Sequence, residues 1–411
     1  MRETNISVGI DIGNTKVITT VGKTENGATD IIGLGISENQ GIRKGVIVDV
    51  EETVSAISAS ILEAERMTGF QLQHACIGIS GPFIESEQSK GIIAIAHPDG
   101  QITEDDINRV IDAAKAIPTR PNREVLHVVP QNFIIDGTEV IKDPAGMTGI
   151  RLEVISNIIS ASSNAVKSTV KAVEQAGLSI NDMVFSPLSN TKLLLNKRQM
   201  DIGVLLIDIG AATTSYIAFE EGEITICGVV PIGSMHITND IAIGLRTNLD
   251  LAENIKLKFG YAVPDRVDEK EMIDLGKLDK NEDGEVKLKY ISEIIEARLN
   301  EVLLIIKENM IRNGCNEALP AGVILTGGGS KIEGIIDLTK ETMRLPVKIG
   351  KPVFEIGGLI DKLDDPIYST SIGLMLWDRE KVPSHGNFHF DFTSVNGVVD
   401  RFKSLFKHIL P

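Results

Sequence analysis

Gly203-Val204-Leu205-Leu206-Ile207-Asp208-Ile209-Gly210-Ala211-Ala212-Thr213-Thr214 restates, about 200 residues on, the stretch Val8-Gly9-Ile10-Asp11-Ile12-Gly13-Asn14-Thr15 near the start of the chain. Each is an apolar strand ending in Asp-x-Gly and followed by small polar residues. In the first copy, Ser7 to Asp11 and Val17 to Gly22 read as two strands of a hairpin joined by residues 12–16, the turn closing on Lys16. Such a turn lets backbone N–H groups and threonine hydroxyls converge on a phosphate. The carboxylate just before it, Asp11 or Asp208, can hold hydrated Mg²⁺, which keeps several waters and needs few protein ligands. One copy alone is as well explained by a hairpin's own need for Asp, Gly and Asn. Two copies, one from each half, can face each other across a cleft and clamp a triphosphate. The expected set is Asp11, Gly13, Asn14, Thr15 and Lys16 on one side, with Asp208, Gly210, Ala211, Thr213 and Thr214 on the other.

A third turn, Gly327-Gly328-Gly329-Ser330, follows the strand Gly322 to Leu325 and precedes a helix start. Its glycines let a flat base and ribose approach the backbone, although an ordinary strand-to-helix loop has the same composition. Glu253 and Lys256 lie three apart on one helical face. They either hydrogen-bond a ribose and an adenine edge or form a solvated ion pair worth about a few tenths of a kcal/mol. Together the two hairpins and the glycine turn resemble the actin, Hsp70 and sugar-kinase superfamily of ATP-binding clefts. The resemblance implies an α/β, duplicated actin/Hsp70-like fold with ATP and Mg as cofactors.

The composition sets limits on the partners. Over 411 residues, Lys and Arg number 41 against 57 Asp and Glu, a formal charge of -16, which argues against nucleic acid as a partner. Cys76, Cys227 and Cys315 are far apart, so neither a disulfide framework nor a zinc site is expected. Met1 to Asn5 run straight into a strand, with no cleavable apolar leader expected, and the apolar runs fall far short of the roughly 20 residues that cross a bilayer.

Periodicity divides the chain. Residues 1–82 and 163–200 read as the first core half, including a strand from Gly45 to Val50 and a helix from Val54 to Met67. Residues 83–162 read as an inserted α+β subdomain whose helix Glu104 to Ala116 opens at Thr103. The second core half comprises 201–230 and 302–378, with its own insertion at 231–301. A linker at 379–397 and a terminal helix at 398–411 complete the plan.

Within the superfamily the match narrows. Val125 to Gly137, followed by Ile141-Lys142-Asp143-Pro144 and Gly146 to Glu153, resembles the inserted subdomain of the bacterial cell-division FtsA family. Gly41 to Asp49, Ile243 to Arg246, Leu325 to Gly328 and Tyr368 to Leu374 are similar to it as well. This resemblance implies an actin-like protein that polymerises at the cytoplasmic face of the cell membrane, at the division site. It implies anchoring of FtsZ filaments and contact with later division proteins through the first insertion. It also places the FtsZ C-terminal peptide on the second insertion, with Arg298 and Glu301 as carried-over residues. Left without the family, Arg298 and Glu301 read as a helix-surface charge pattern. A related adaptor of type IV pilus assembly, or a small-metabolite kinase of the same fold, is the alternative.

In one place the chain departs from that pattern. Ala211 and Ala212 stand where relatives have glycines and Ser215 where they have an acid, and Leu188 to Leu195 offers no clear polar residue to position a water. At most weak ATPase activity is expected.

At the C-terminus, Val398, Val399, Phe402, Leu405, Phe406, Ile409 and Leu410 share one helical face, with Arg401, Lys403 and Lys407 near the polar side. Even a fraction of the roughly 1.5–3 kcal/mol for burying each side chain gives reversible binding at an anionic membrane surface. Linking copies in a filament converts weak binding into firm attachment.

Overall fold

The computed structural model describes residues 5–116, 121–280, 282–315, 318–359 and 364–379. Two sheets of matching topology carry the two Asp-x-Gly stretches. In the first, the order is Ser179–Phe185, His74–Ile79, Asn5–Ile12, Lys16–Glu25, Ala28–Glu38 and the short Gly357–Gly358. In the second it is Val347–Ile349, Val323–Thr326, Val204–Ile209, Thr214–Glu220 and Glu223–Val230. The Asp-bearing strand lies inside each sheet, antiparallel to the next strand in sequence and parallel to a later one. These strands are rich in Val, Ile and Leu because helices cover both faces, so apolar runs replace alternation.

The duplication extends to the turns. Asn26-Gly27 (φ 53° and 85°) joins the second and third strands of the first sheet, and Glu221-Gly222 (φ 53° and 83°) does so in the second. Two successive left-handed residues match the twist of a two-residue hairpin.

The first insertion forms a separate four-stranded sheet, ordered Ile84–Ala94, Arg151–Ser162, Arg123–Ile135 and Glu139–Ile141. Helix Glu104–Lys115 packs on it around Val110, Val128 and Leu152, and its N-terminus is closed by a reciprocal Thr103–Asp106 capping box. In the second insertion, helices Ser234–Leu245 and Leu249–Phe259 pack with the long helix Leu288–Arg312. The expected strand from Gly45 to Val50 is not formed. Ile42–Arg43 and Val46–Ile47 make a small hairpin instead, turning at Lys44 and Gly45, and helix Val50–Thr68 begins earlier than its apolar spacing suggested. The linker and terminal helix expected beyond this fall at 380–411, outside the described residues.

Helix Ser369–Arg379 follows the second half in sequence but lies across the first sheet. Glycines on three adjacent strands admit it. A Cβ on Gly9 would lie 2.2 Å from Ser371 O, one on Gly22 2.3 Å from Met375 Sδ, and one on Gly78 2.9 Å from Leu374 Cδ1. Its last turn is tied down by Val8 N donating to Asp378 Oδ2 at 2.9 Å and by Trp377 Nε1 donating to Asp182 Oδ2 at 2.9 Å.

The Gly9 contact is with backbone, which cannot move aside. Gly9→Ala should therefore lower stability by about 2 kcal/mol or more in denaturant unfolding. Gly27→Ala, where nothing stands within 4 Å, should cost only about 1–2 kcal/mol of left-handed backbone strain.

Candidate functional site

The two turns have one geometry. Gly13 N donates to Lys16 O at 3.0 Å, and Gly210 N donates to Thr213 O at 2.9 Å. A Cβ would stand 2.9 Å from Lys16 O at position 13 and 3.0 Å from Thr213 O at position 210, so a side chain at either position would press on the carbonyl that closes the turn. Ile12 pairs with Val17 as Ile209 pairs with Thr214. Thr213 is therefore the counterpart of Lys16, and Ala211 and Ala212 of Asn14 and Thr15. Neither alanine takes a left-handed backbone, so replacing glycine by alanine brings no φ strain to this turn.

Side chains brace both turns. Asn39 Nδ2 donates to Gly13 O at 2.7 Å, and Asn39 N to Thr15 O at 3.0 Å. The amides of Ser234 and Met235, at the start of helix Ser234–Leu245, donate to Gly210 O and Ala211 O at 2.9 and 2.8 Å. Asn14 is engaged with Ile42 O and Gly45 N, and Thr214 Oγ1 with Ile232 O at 2.8 Å. What these two positions offer a phosphate is backbone rather than side chain. Thr15 and Lys16 are exposed.

Asp11 and Asp208 come close enough for each charge to act on the other. Burial, and then the Asp208 charge, push the Asp11 carboxyl up from 3.8 to about 7. Burial also raises Asp208, opposed by donors from Asn190 Nδ2 at 2.9 Å and Thr370 Oγ1 at 3.2 Å, both on Oδ2. No basic side chain among the described residues offsets either carboxylate. Asn190 is fully buried and its Oδ1 has no hydrogen-bond partner among the described residues. Two carboxylates with a spare amide oxygen form an acceptor-rich site that suits the water shell of a hydrated divalent cation. Leu188 to Leu195 thus does carry a polar residue directed at the site, which the sequence reading missed. Its neighbours Ser189 and Thr191 are polar too, so nothing within helix Ser186–Leu194 singled it out.

The third turn meets the second hairpin directly. Gly327 (φ 81°) would place a Cβ 2.2 Å from Asp208 Oδ1, and Gly329 one 2.3 Å from Ile209 Cγ2. Those two glycines serve packing against Asp208-Ile209, leaving Gly328 as the open position. Ser330 Oγ donates to Gly327 O at 2.7 Å and closes the turn.

Lys256 is 7% exposed, and its Nζ reaches Glu253 at 2.7 Å, Thr238 Oγ1 at 2.9 Å and Ser234 O at 3.2 Å. All three ammonium protons are thereby used, so the pair is a buried brace under the second turn rather than a solvated ion pair; Glu253 keeps the exposed edge. Across the cleft, Ser80 Oγ and Ser215 Oγ hydrogen-bond at 2.6 Å.

Away from the cleft, the second insertion has an open groove of about 360 Å³ lined by Asp240, Ile243, Tyr290, Ile294, Arg298 and Glu301. Ile243 is 75% exposed. Arg298 grips Asp240 with two donors, Nε at 2.6 Å and Nη2 at 2.9 Å, and reaches Glu301 at 2.5 Å.

A family model described as "Cell division protein FtsA" matches residues 205–373, and one described as "SHS2 domain inserted in FTSA" matches 81–160. The cell division protein FtsA of Pseudomonas aeruginosa is 36% identical over 375 residues, 91% of this chain and 89% of the relative. That of Borreliella burgdorferi is 37% identical over 379 residues, 92% of each. The chain belongs to the FtsA family of cell-division proteins. Among solved structures, a PilM-PilN type IV pilus biogenesis complex matches with TM-score 0.66 at 17% identity, covering 90% of this chain and 97% of that one. MreB5 of Spiroplasma citri bound to ADP matches with TM-score 0.52 at 12% identity, covering 91% and 96%. At such identities these structures establish the actin-like fold alone; the FtsA relatives decide between division and pilus assembly.

A carboxyl raised from 3.8 to about 7 binds its proton more readily in the folded than in the unfolded chain, so its stability contribution is lost as pH rises from about 4 through 7. Asp11→Asn removes that loss. Its melting-temperature gain over wild type, without added nucleotide or metal, should be larger at pH 8 than at pH 5. An equal gain at both values would show that Asp11 ionises freely.

Proposed function

We propose that this chain is an ATP-binding, actin-like division protein that polymerises on the cytoplasmic face of the cell membrane, at the division site. There it ties FtsZ filaments to that surface and contacts later division proteins through the inserted subdomain. The supporting observation is the pair of matched hairpins whose aspartates share one acceptor-rich cleft. The amides of residues 14–16 and 211–213 hold the phosphates, those of Gly13 and Gly210 being used to close their own turns, while Gly328 and Glu253 border the nucleoside. Asp11 and Asp208 would hold Mg²⁺ through its waters, with Asn190 Oδ1 as a further acceptor, and the bound ion would supply neutralisation of the triphosphate charge. With no acid at position 215, hydrolysis is at most weak. Titration with a fluorescent ATP analogue should show Mg²⁺-dependent binding that Asp208→Asn weakens at least tenfold. Wild-type protein indifferent to millimolar ATP and Mg²⁺ would sink the nucleotide reading.

The groove at Arg298 supports the peptide role. Ile243, Tyr290 and Ile294 offer an apolar floor, while Asp240 already holds the guanidinium flat against helix Ser234–Leu245. Asp240 and Glu301 engage three of the five guanidinium N–H groups, so a peptide carboxylate meets a partly neutralised cation with two N–H groups left to offer rather than a free one. The basic, amphipathic residues 398–411 supply the membrane foot. Arg298→Glu should weaken binding of an FtsZ C-terminal peptide by roughly tenfold or more in fluorescence anisotropy. Undiminished binding would place the peptide elsewhere.

A further inference from the structure

The small hairpin at residues 42–47 ends in a two-residue turn, with Lys44 at φ 52° and Gly45 at φ 77°. Asn14 of the first phosphate turn pins it, donating from Nδ2 to Ile42 O at 3.2 Å and accepting from Gly45 N at 2.9 Å. The tip is lodged between two other segments. A Cβ on Gly45 would lie 2.9 Å from Pro82 Cδ and 3.1 Å from Thr213 Cγ2, and one on Gly81 would lie 2.8 Å from Gly45 O. Thr213 closes the second phosphate turn. Pro82 belongs to the strand exit through which the chain enters the inserted subdomain. Beside this contact, Ser80 and Ser215 join the same two segments through their hydroxyls at 2.6 Å.

Beyond Pro82 the contacts continue into the insertion. Phe83 O accepts from Ser162 N at 3.3 Å and from Arg123 Nη2 at 3.0 Å, and these donors stand on the two central strands of the inserted sheet. Further out, the insertion touches the second half again, where Gln131 Nε2 donates to Ile224 O at 2.5 Å on that sheet's edge strand.

We infer that Gly45, Pro82, Thr213 and the Ser80–Ser215 pair couple the second phosphate turn to the root of the inserted subdomain, so that the tilt of the insertion on the core follows occupancy of the cleft. Close-packed contacts of this kind transmit a displacement because they have no slack to absorb it. Two points of attachment to the second half, one at the root and one at the edge strand, turn a small shift between the halves into a rotation of the subdomain. The inference rests on the nucleotide reading above.

Pulsed electron-spin distance measurement tests it in the full chain. Spin labels at Asp99→Cys on the insertion and Lys171→Cys on the first half use exposed positions, while the three native cysteines are buried. Fluorescent-ATP binding is measured on the same samples. The expected result is a shift of roughly 2 Å or more on adding ATP and Mg²⁺. That shift should fall below half in Gly45→Ala, which wedges the junction, and in Ser80→Ala, which removes the hydroxyl pair without adding bulk. Binding without a shift in wild type overturns the coupling while leaving the nucleotide site intact, as does a full shift in Ser80→Ala and Gly45→Ala alike. Absence of binding in wild type removes both readings together.

Discussion

The carboxylate of Asp208 is the point on which the architecture turns. It lies near the end of the Asp-bearing strand of the second half, yet its side-chain donors come from outside that sheet: Asn190 on helix Ser186–Leu194, packed between the two sheets, and Thr370 on helix Ser369–Arg379, which lies on the first. A buried carboxylate without donors would carry a desolvation cost of several kcal/mol. The second half therefore holds its acid in place only while the first half is docked against it. The glycine at 327 has the same origin, since any side chain there would occupy the space of Asp208 Oδ1.

That dependence explains why the halves meet through polar groups at the cleft and through aliphatic packing behind it. Ile18, Phe185, Leu206, Ile217 and Leu374 belong to one continuous core spanning both sheets. Hydrophobic contact of that extent is not directional and holds the halves together in any nearby orientation. Single hydrogen bonds such as Ser80 to Ser215 select one orientation at about 1 kcal/mol each, a scale a bound ligand can shift.

Much of the fold was legible because its evidence is local. The duplicated Asp-x-Gly strands, the helix opened at Thr103 and the glycine turn at 327–329 each lie within a short window. The residues missed are those whose partners lie far along the chain. Asn190 and Thr370 show nothing special in their own segments, and only the tertiary fold brings them 18 and 162 positions to Asp208. The Gly45 to Val50 stretch misled for the opposite reason. Its apolar residues suit a strand, but a left-handed Lys44-Gly45 pair folds them back after two residues. Lys256 was read either as a nucleoside contact or as half of a solvated ion pair, because spacing places it on a helix face without saying that Ser234 and Thr238 cover that face. The C-terminal helix remains a sequence-level reading.

Helix Ser369–Arg379 is about 16 Å long, with the cleft at one end and the start of the tail at the other. Its final turn is cleated to the first sheet: Asp378 accepts from Val8 N and Asn181 Nδ2, and Arg379 Nη1 donates to Thr29 Oγ1. Tension applied to residues beyond 379 is consequently grounded in that sheet before it can travel along the rod to Thr370. A pull on the chain beyond Arg379 would then leave the Thr370 bond to Asp208 undisturbed.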